Sequence, residues 1–274
     1  MGDFTEEQLI EKMVGRTIDN YYPKEKARIG DVVLELKNLT RRNTFHNISF
    51  CVREGEVLGI FGLVGAGRTE VIRAVFGLDP IDSGDIYLEG EKVVKLETES
   101  LIRQGLAMVS EDRRTYGIIP KRSVIENITL TFLGKVMGKF LTNSKKENAA
   151  AEELIEELRI KTSSGDARVE NLSGGNQQKV VLAKWLLGDL KVLILDEPTR
   201  GIDVGAKTEI YRIISNLAKK GVAVIMISSE LPEILGMSDR VIVMREKRIA
   251  GEIDMVSATQ KRIMTMATGG RLNG

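Results

Sequence analysis

Apolar residues occur in short continuous runs separated by longer amphipathic stretches. The runs at 32–37 (VVLELK) and 47–52 (NISFCV) predict strands, and VLGIF at 57–61 predicts a strand buried on both faces. A glycine loop from Gly62 to Gly67 leads into a predicted helix over Arg68 to Phe76, and LAMV after Gly105 predicts a further strand. From 123 to 187 the pattern turns helical. Ser123 and Glu126 form a capping box, 145–159 carries Leu154, Ile155 and Leu158 on one stripe, and 176–187 forms a third helix. Then follow a strand at 191–195, a helix at 204–220, a strand at 222–227, a short helix near 230–235, strands at 240–244 and 247–251, and a helix at 259–268. Strands alternating with helices predict parallel βαβ units in a doubly wound α/β sheet, with the helical middle inserted between sheet strands.

Residues 4–14 predict a short helix, capped by Thr5 and Gln8, with Leu9, Ile10 and Met13 on one face. Residues 15–30 have no period and read as a linker. At 274 residues the chain suits one large domain or two small ones. Its 42% apolar content can build a core, which excludes a disordered chain. The longest clear apolar run, VAVIMI at 222–227, has strand length and not the ~18 residues of a membrane span. The polar opening MGDFTEEQLI is not a secretory signal, and a single cysteine, Cys51, suits a reducing cytoplasm. A net charge of +1 argues against a nucleic-acid partner.

Three segments carry chemistry. Residues 62–69 read GLVGAGRT, close to the phosphate-loop pattern G-x-x-x-x-G-K-[ST] but with Arg68 in place of lysine. Gly62, Leu63, Val64, Gly65, Ala66, Gly67, Arg68, Thr69 and Glu70 are therefore the candidate phosphate cradle, with amide groups and a helix N-terminus facing the anion. Residues 192–197, VLILDE, place two carboxylates at a sheet edge: Asp196 to hold Mg²⁺ with the Thr69 hydroxyl, Glu197 to polarise a water. Residues 171–178, NLSGGNQQ, put Ser173, Gly174 and Gly175 at a helix start, 23 residues before Asp196, as a second anion site.

LSGG followed by LILDEPTRGID, behind a phosphate loop, resembles the ATP-binding cassette of an ABC transporter, a P-loop NTPase, over residues 31–252. GLVGAGRTE, SEDRRTYG, LSGGNQQKV, DEPTRGIDVGAK and ISSELPEILGMSDR are similar to the second cassette of bacterial ribose, galactose and xylose importers. The resemblance implies a mainly parallel sheet core, an antiparallel β subdomain and a helical subdomain over about 112–187, with 253–274 as a C-terminal helix and tail. It also implies that 1–30 is the tail of a preceding cassette. Expected ligands are ATP and Mg²⁺. Expected partners are that second cassette, a membrane permease and, indirectly, a sugar-binding protein, at the cytoplasmic face of the inner membrane. Ser173, Gly174, Gly175 and Gln177 would serve a partner's ATP, and the loop ending at Asp203 would signal across the pair.

The resemblance also marks departures. Glu111 stands where the family has a metal-linking glutamine and, being nearly isosteric, still offers an oxygen to Mg²⁺ beside Asp196 and Thr69; Ser229 stands where the family has a histidine that contacts the terminal phosphate. The only histidine, His46, lies far upstream. Glu197 with Glu111 and Ser229 thus forms a weakened catalytic set, and slow hydrolysis is expected. Phe45 fits a core position better than an adenine stack, leaving Arg41 or Arg42 to cover the base. Ile118, Ile119, Ile125 and Ile128 either line the permease groove or fill the core. A soluble ABC ATPase acting on nucleic acid or ribosomes, and a non-hydrolytic nucleotide sensor, are the rival readings.

Overall fold

The structure, a computed structural model, describes residues 21–137 and 143–270. The predicted helix at 4–14 lies outside the described residues. Two sheets organise the rest. One is antiparallel: β1 (Val32–Arg41), β2 (Phe45–Arg53), β4 (Ser83–Leu88) and β5 (Glu91–Lys92), in the order β2-β1-β4-β5. The other is the core sheet: β3 (Val57–Gly62), β6 (Leu106–Val109), β7 (Val192–Asp196), β8 (Ala223–Ile227), β9 (Arg240–Arg245) and β10 (Arg248–Asp254), in the order β10-β9-β3-β8-β7-β6. Its pairings are parallel except at the β9–β10 edge.

Every residue of β3, β7 and β8 is buried, as their unbroken apolar runs require of strands covered on both faces. The helices of six residues or more are α1 (Arg68–Val75), α2 (Thr98–Arg103), α3 (Val124–Thr129), α4 (Ser144–Glu157), α5 (Gly174–Leu186), α6 (Val204–Lys219), α7 (Leu231–Met237) and α8 (Gln260–Thr268). Helices α3 to α5 enter between β6 and β7, so the helical middle is an insertion into the sheet. The capping box of α3 forms as read: Ser123 Oγ accepts from Glu126 N–H, and Glu126 accepts from Ser123 N–H.

Several elements differ from the sequence pattern. β4, β5 and α2 lie in a stretch without a clear period. Gly84 interrupts β4 at φ 100°, where a Cβ would stand 2.6 Å from the Asn38 carbonyl, so the strand alternates only over Ile86 and Leu88. β1 runs on to Arg41 through a register shift after Leu36, with Asn38 at φ 52°. Residues 21–30 are irregular, yet they are strapped down. Tyr21 and Tyr22 pack on Tyr211 of α6, Glu25 N–H donates to Ser215 Oγ (2.9 Å), and Lys24 pairs with Asp239 (2.6 Å). An aperiodic segment therefore need not be a loose one.

The strand order sets up the site. β7 lies beside β8, and β8 beside β3, with Asp196 paired to Ile227 and Ile227 to Ile60. The three strands end at one carboxyl edge, where ligands of open α/β sheets bind. The loops after Gly62, Asp196 and Ile227 meet there.

Candidate functional site

The loop after β3 is shaped by close approach. A Cβ on Gly62 would lie 2.6 Å from the Met244 carbonyl, and Gly67 has φ 94°, a left-handed turn that costs glycine nothing. Gly67 caps α1 without a side chain, so the first-turn N–H groups face the cleft with no side-chain acceptor. The cleft measures about 460 Å³ and is lined by Val64 to Glu70, Glu111, Glu197, Arg200 and Ser229. Sequence spacing had separated these residues by up to 165 positions; the sheet edge gathers them.

Asp196 is 1% exposed and its Oδ1 has no hydrogen-bond partner. Burial pushes its carboxyl up to about 6, with Thr69's hydroxyl and then Arg68's charge opposing and Glu197's charge adding. A buried carboxylate oxygen without a donor, beside a threonine hydroxyl, is the donor set a divalent cation takes with phosphate oxygens. The residues present fit magnesium; Asp196 and Thr69 would hold it. Glu111 is engaged otherwise, its carboxylate paired with Arg200.

Glu197 sits at φ 49°, a strained backbone for a non-glycine residue. Its N–H donates to the Ile227 carbonyl (2.9 Å), which holds the turn. Its Oε2 accepts from Ser229 Oγ (3.1 Å), so the serine at the switch position leans on the acid instead of reaching outward. Arg68, 12% exposed, donates to the Ser228 carbonyl (3.1 Å) and lies 3.9 Å from Glu197. The arginine that replaces lysine is thus turned into the wall, as its greater length and fork permit.

The helix start at Ser173, the second candidate anion site, stands apart. Ser173 caps α5 and its Oγ accepts from Asn176 Nδ2 (2.9 Å), while Asn176 Oδ1 accepts from Lys161 N–H (2.8 Å). A hollow of about 560 Å³ opens beside Ser173 and Asn176, and it shares no lining residue with the first cleft. Gly175 packs against α6, where a Cβ would come within 2.4 Å of Ala206 Cβ. Asp203 caps α6 through Ala206 N–H (2.9 Å).

Gln177 is 3% exposed, and its amide nitrogen donates to the Val169 and Leu172 carbonyls (both 3.2 Å), so that nitrogen braces its own loop, while Oε1 is buried without a hydrogen-bond partner. Ile118, Ile125 and Ile128 are core residues, and only Ile119 of that set is exposed. Phe45 is fully buried, as its core reading implied; Arg41 pairs with Asp79 (3.2 Å). Sequence reasoning placed Arg200 in a loop facing a partner and missed it as a wall of this cleft. The signal was an arginine three residues beyond Glu197.

The sequence pattern described as ABC transporter matches residues 45–200, and the chain belongs to that family. It is 52% identical over 264 residues to the ribose import ATP-binding protein RbsA of Bacillus licheniformis, covering 96% of this chain and 54% of that one. It is 50% identical over 265 residues to RbsA of Bacillus subtilis, covering 97% and 54%. The chain spans about half the length of the curated relatives it matches. Its fold is that of a solved ATP-binding cassette of an ABC transporter in the ADP conformation, with a TM-score of 0.72 at 21% identity over 87% of this chain and 96% of that one.

Proposed function

We propose that the chain binds ATP with Mg²⁺ in the cleft between the phosphate loop and the acidic strand end, as one cassette of a pair that drives monosaccharide import through a membrane permease. The observation that carries this reading is the buried, unpartnered Asp196 oxygen beside Thr69, facing a loop whose N–H groups await an anion. Magnesium, when bound, would neutralise and orient phosphate oxygens. The loop amides hold the phosphates, and Glu197 orients a water for in-line attack. Ser173 and the start of α5, set apart from that cleft, serve nucleotide on the second cassette. The sugar-binding protein delivers cargo to the permease, so the pair works at the cytoplasmic face of the inner membrane. No described helix is long and apolar enough to cross a membrane.

This half hydrolyses slowly. Ser229 is spent on Glu197, and Arg68 on Ser228 and Glu197. Turnover by the isolated chain is expected well below the ~10 s⁻¹ of a typical enzyme. Adding the complementary N-terminal half of a full-length relative raises total turnover, and Ser173→Arg cancels the rise. Turnover near the typical value in the isolated chain, abolished by Glu197→Gln, would contradict the slow-site reading. An ATP-independent mixture that never associates would contradict the pair.

A further inference from the structure

Among the described residues lining the nucleotide cleft, the cations are Arg68 and Arg200. Arg68 does not offer its charge to the open volume, because its side chain is 12% exposed and its guanidinium donates to the Ser228 carbonyl. Arg200 is the reverse case. Its side chain is 66% exposed, while its backbone is fixed on both sides. Its N–H donates to the Glu197 carbonyl (3.1 Å), and its carbonyl accepts from Arg113 Nη1 (2.9 Å). Arg113 Nη2 also reaches the Gly201 carbonyl (3.4 Å). A clamped backbone thus carries a long cation over the end of the cleft that holds Glu197, where the terminal phosphate of a triphosphate would lie.

The only acid paired with Arg200 among the described residues is Glu111. Both side chains are substantially exposed, and such a pair is weak and exchangeable. A terminal phosphate offers three acceptor oxygens and more charge than a carboxylate, and it suits the guanidinium fork. We propose that Arg200 is a phosphate-contacting residue of this chain's own cleft: when a triphosphate binds, the guanidinium leaves Glu111 for the terminal phosphate, and the Glu111 carboxylate is released into the cleft. This rests on the nucleotide reading above and deepens it. The exchange makes the cleft distinguish tri- from diphosphate, because a diphosphate ends short of Arg200 and leaves the Arg200–Glu111 pair closed.

The test is calorimetric titration of the purified chain with ATP and, separately, ADP, each with magnesium. Wild type is expected to prefer ATP. Arg200→Ala weakens ATP about tenfold or more and ADP less than about threefold, in line with loss of one charge-assisted contact. Arg200→Lys restores part of the preference, since it keeps charge but not the fork. Glu111→Gln, which unties Arg200, tightens ATP in magnesium-free buffer. A thermal melt confirms that each surface variant folds. If Arg200→Ala lowers both affinities equally, or neither, the exchange is wrong while nucleotide binding stands. If wild type binds neither nucleotide, the binding reading falls and the exchange with it.

Discussion

Replacing Asp196 by asparagine stabilises the nucleotide-free chain near neutral pH and removes its magnesium-dependent hold on ATP. The first effect follows from burial. The Asp196 carboxyl is raised from 3.8 to about 6, chiefly because desolvation disfavours its charge. Its protonated form is preferred more strongly in the folded state than in the unfolded chain. Its contribution is therefore fully present below about pH 4 and is lost as pH rises through about 6. Above that, the folded chain carries a buried carboxylate at a cost of about 3 kcal/mol. Asparagine keeps the shape and never ionises. In magnesium-free buffer, the urea midpoint of Asp196→Asn should exceed that of wild type at about pH 8, and the gap should close toward about pH 4. Glu233 is also buried and shifted upward, so the wild-type curve contains more than one group; the difference between the two proteins isolates Asp196. A variant less stable than wild type at about pH 8 would show that the carboxylate is already satisfied. The second effect is read by titrating the same two proteins with ATP, with and without magnesium: in Asp196→Asn, magnesium no longer improves ATP affinity. A stabilised protein with a disabled site is what a strained binding centre predicts.

Arg240→Met is expected to cost about 3–5 kcal/mol of stability. Arg240, at the start of β9, donates to Glu56 Oε1 (2.6 Å), to Glu252 Oε1 (2.7 Å) and to the Cys51 carbonyl (2.5 Å). One guanidinium thus joins β9 and β10 of the core sheet to β2 of the antiparallel sheet. Glu56 is 3% exposed, and Arg53 N–H holds its other oxygen (2.8 Å). Removing the cation leaves that carboxylate buried with half its partners gone. The double variant Arg240→Met with Glu56→Gln should recover part of the loss, because no uncompensated charge remains. Urea denaturation measures both. A single-variant loss below about 1 kcal/mol would mean that water reaches Glu56 and solvates it.

The parts of the fold legible from sequence are those where burial writes itself into composition. VLGIF, KVLIL and VAVIMI are unbroken because both faces of β3, β7 and β8 are covered. Capping was legible too, at Ser123 and at the helix start of Ser173, because a cap needs a particular side chain at a particular place. β4 and α2 were hidden because their stability comes from neighbours: β4 pairs with β1 across its length, and α2 buries Leu101. The candidate site divides in the same way. Its backbone elements, the glycine loop and the acidic strand end, follow from residue type and order. Side-chain direction does not. Gln177 turns inward to spare loop carbonyls, Arg68 turns to the wall, and Arg200 enters a cleft formed by loops far away in sequence. Each choice depends on which carbonyl or carboxylate the fold leaves within reach, which no local pattern encodes.

The central claim is that the loop at 62–70 and the edge at 196–197 together grip a magnesium-bound triphosphate. Titration of the chain with ATP and magnesium, beside Gly67→Asp, tests it most directly. Gly67 stands at φ 94°, where a side chain is strained, and an aspartate there would set a negative charge at the start of α1. The account predicts saturable binding of one nucleotide per chain, absent in Gly67→Asp. No heat of binding in the wild type, or equal binding by the two proteins, would contradict it.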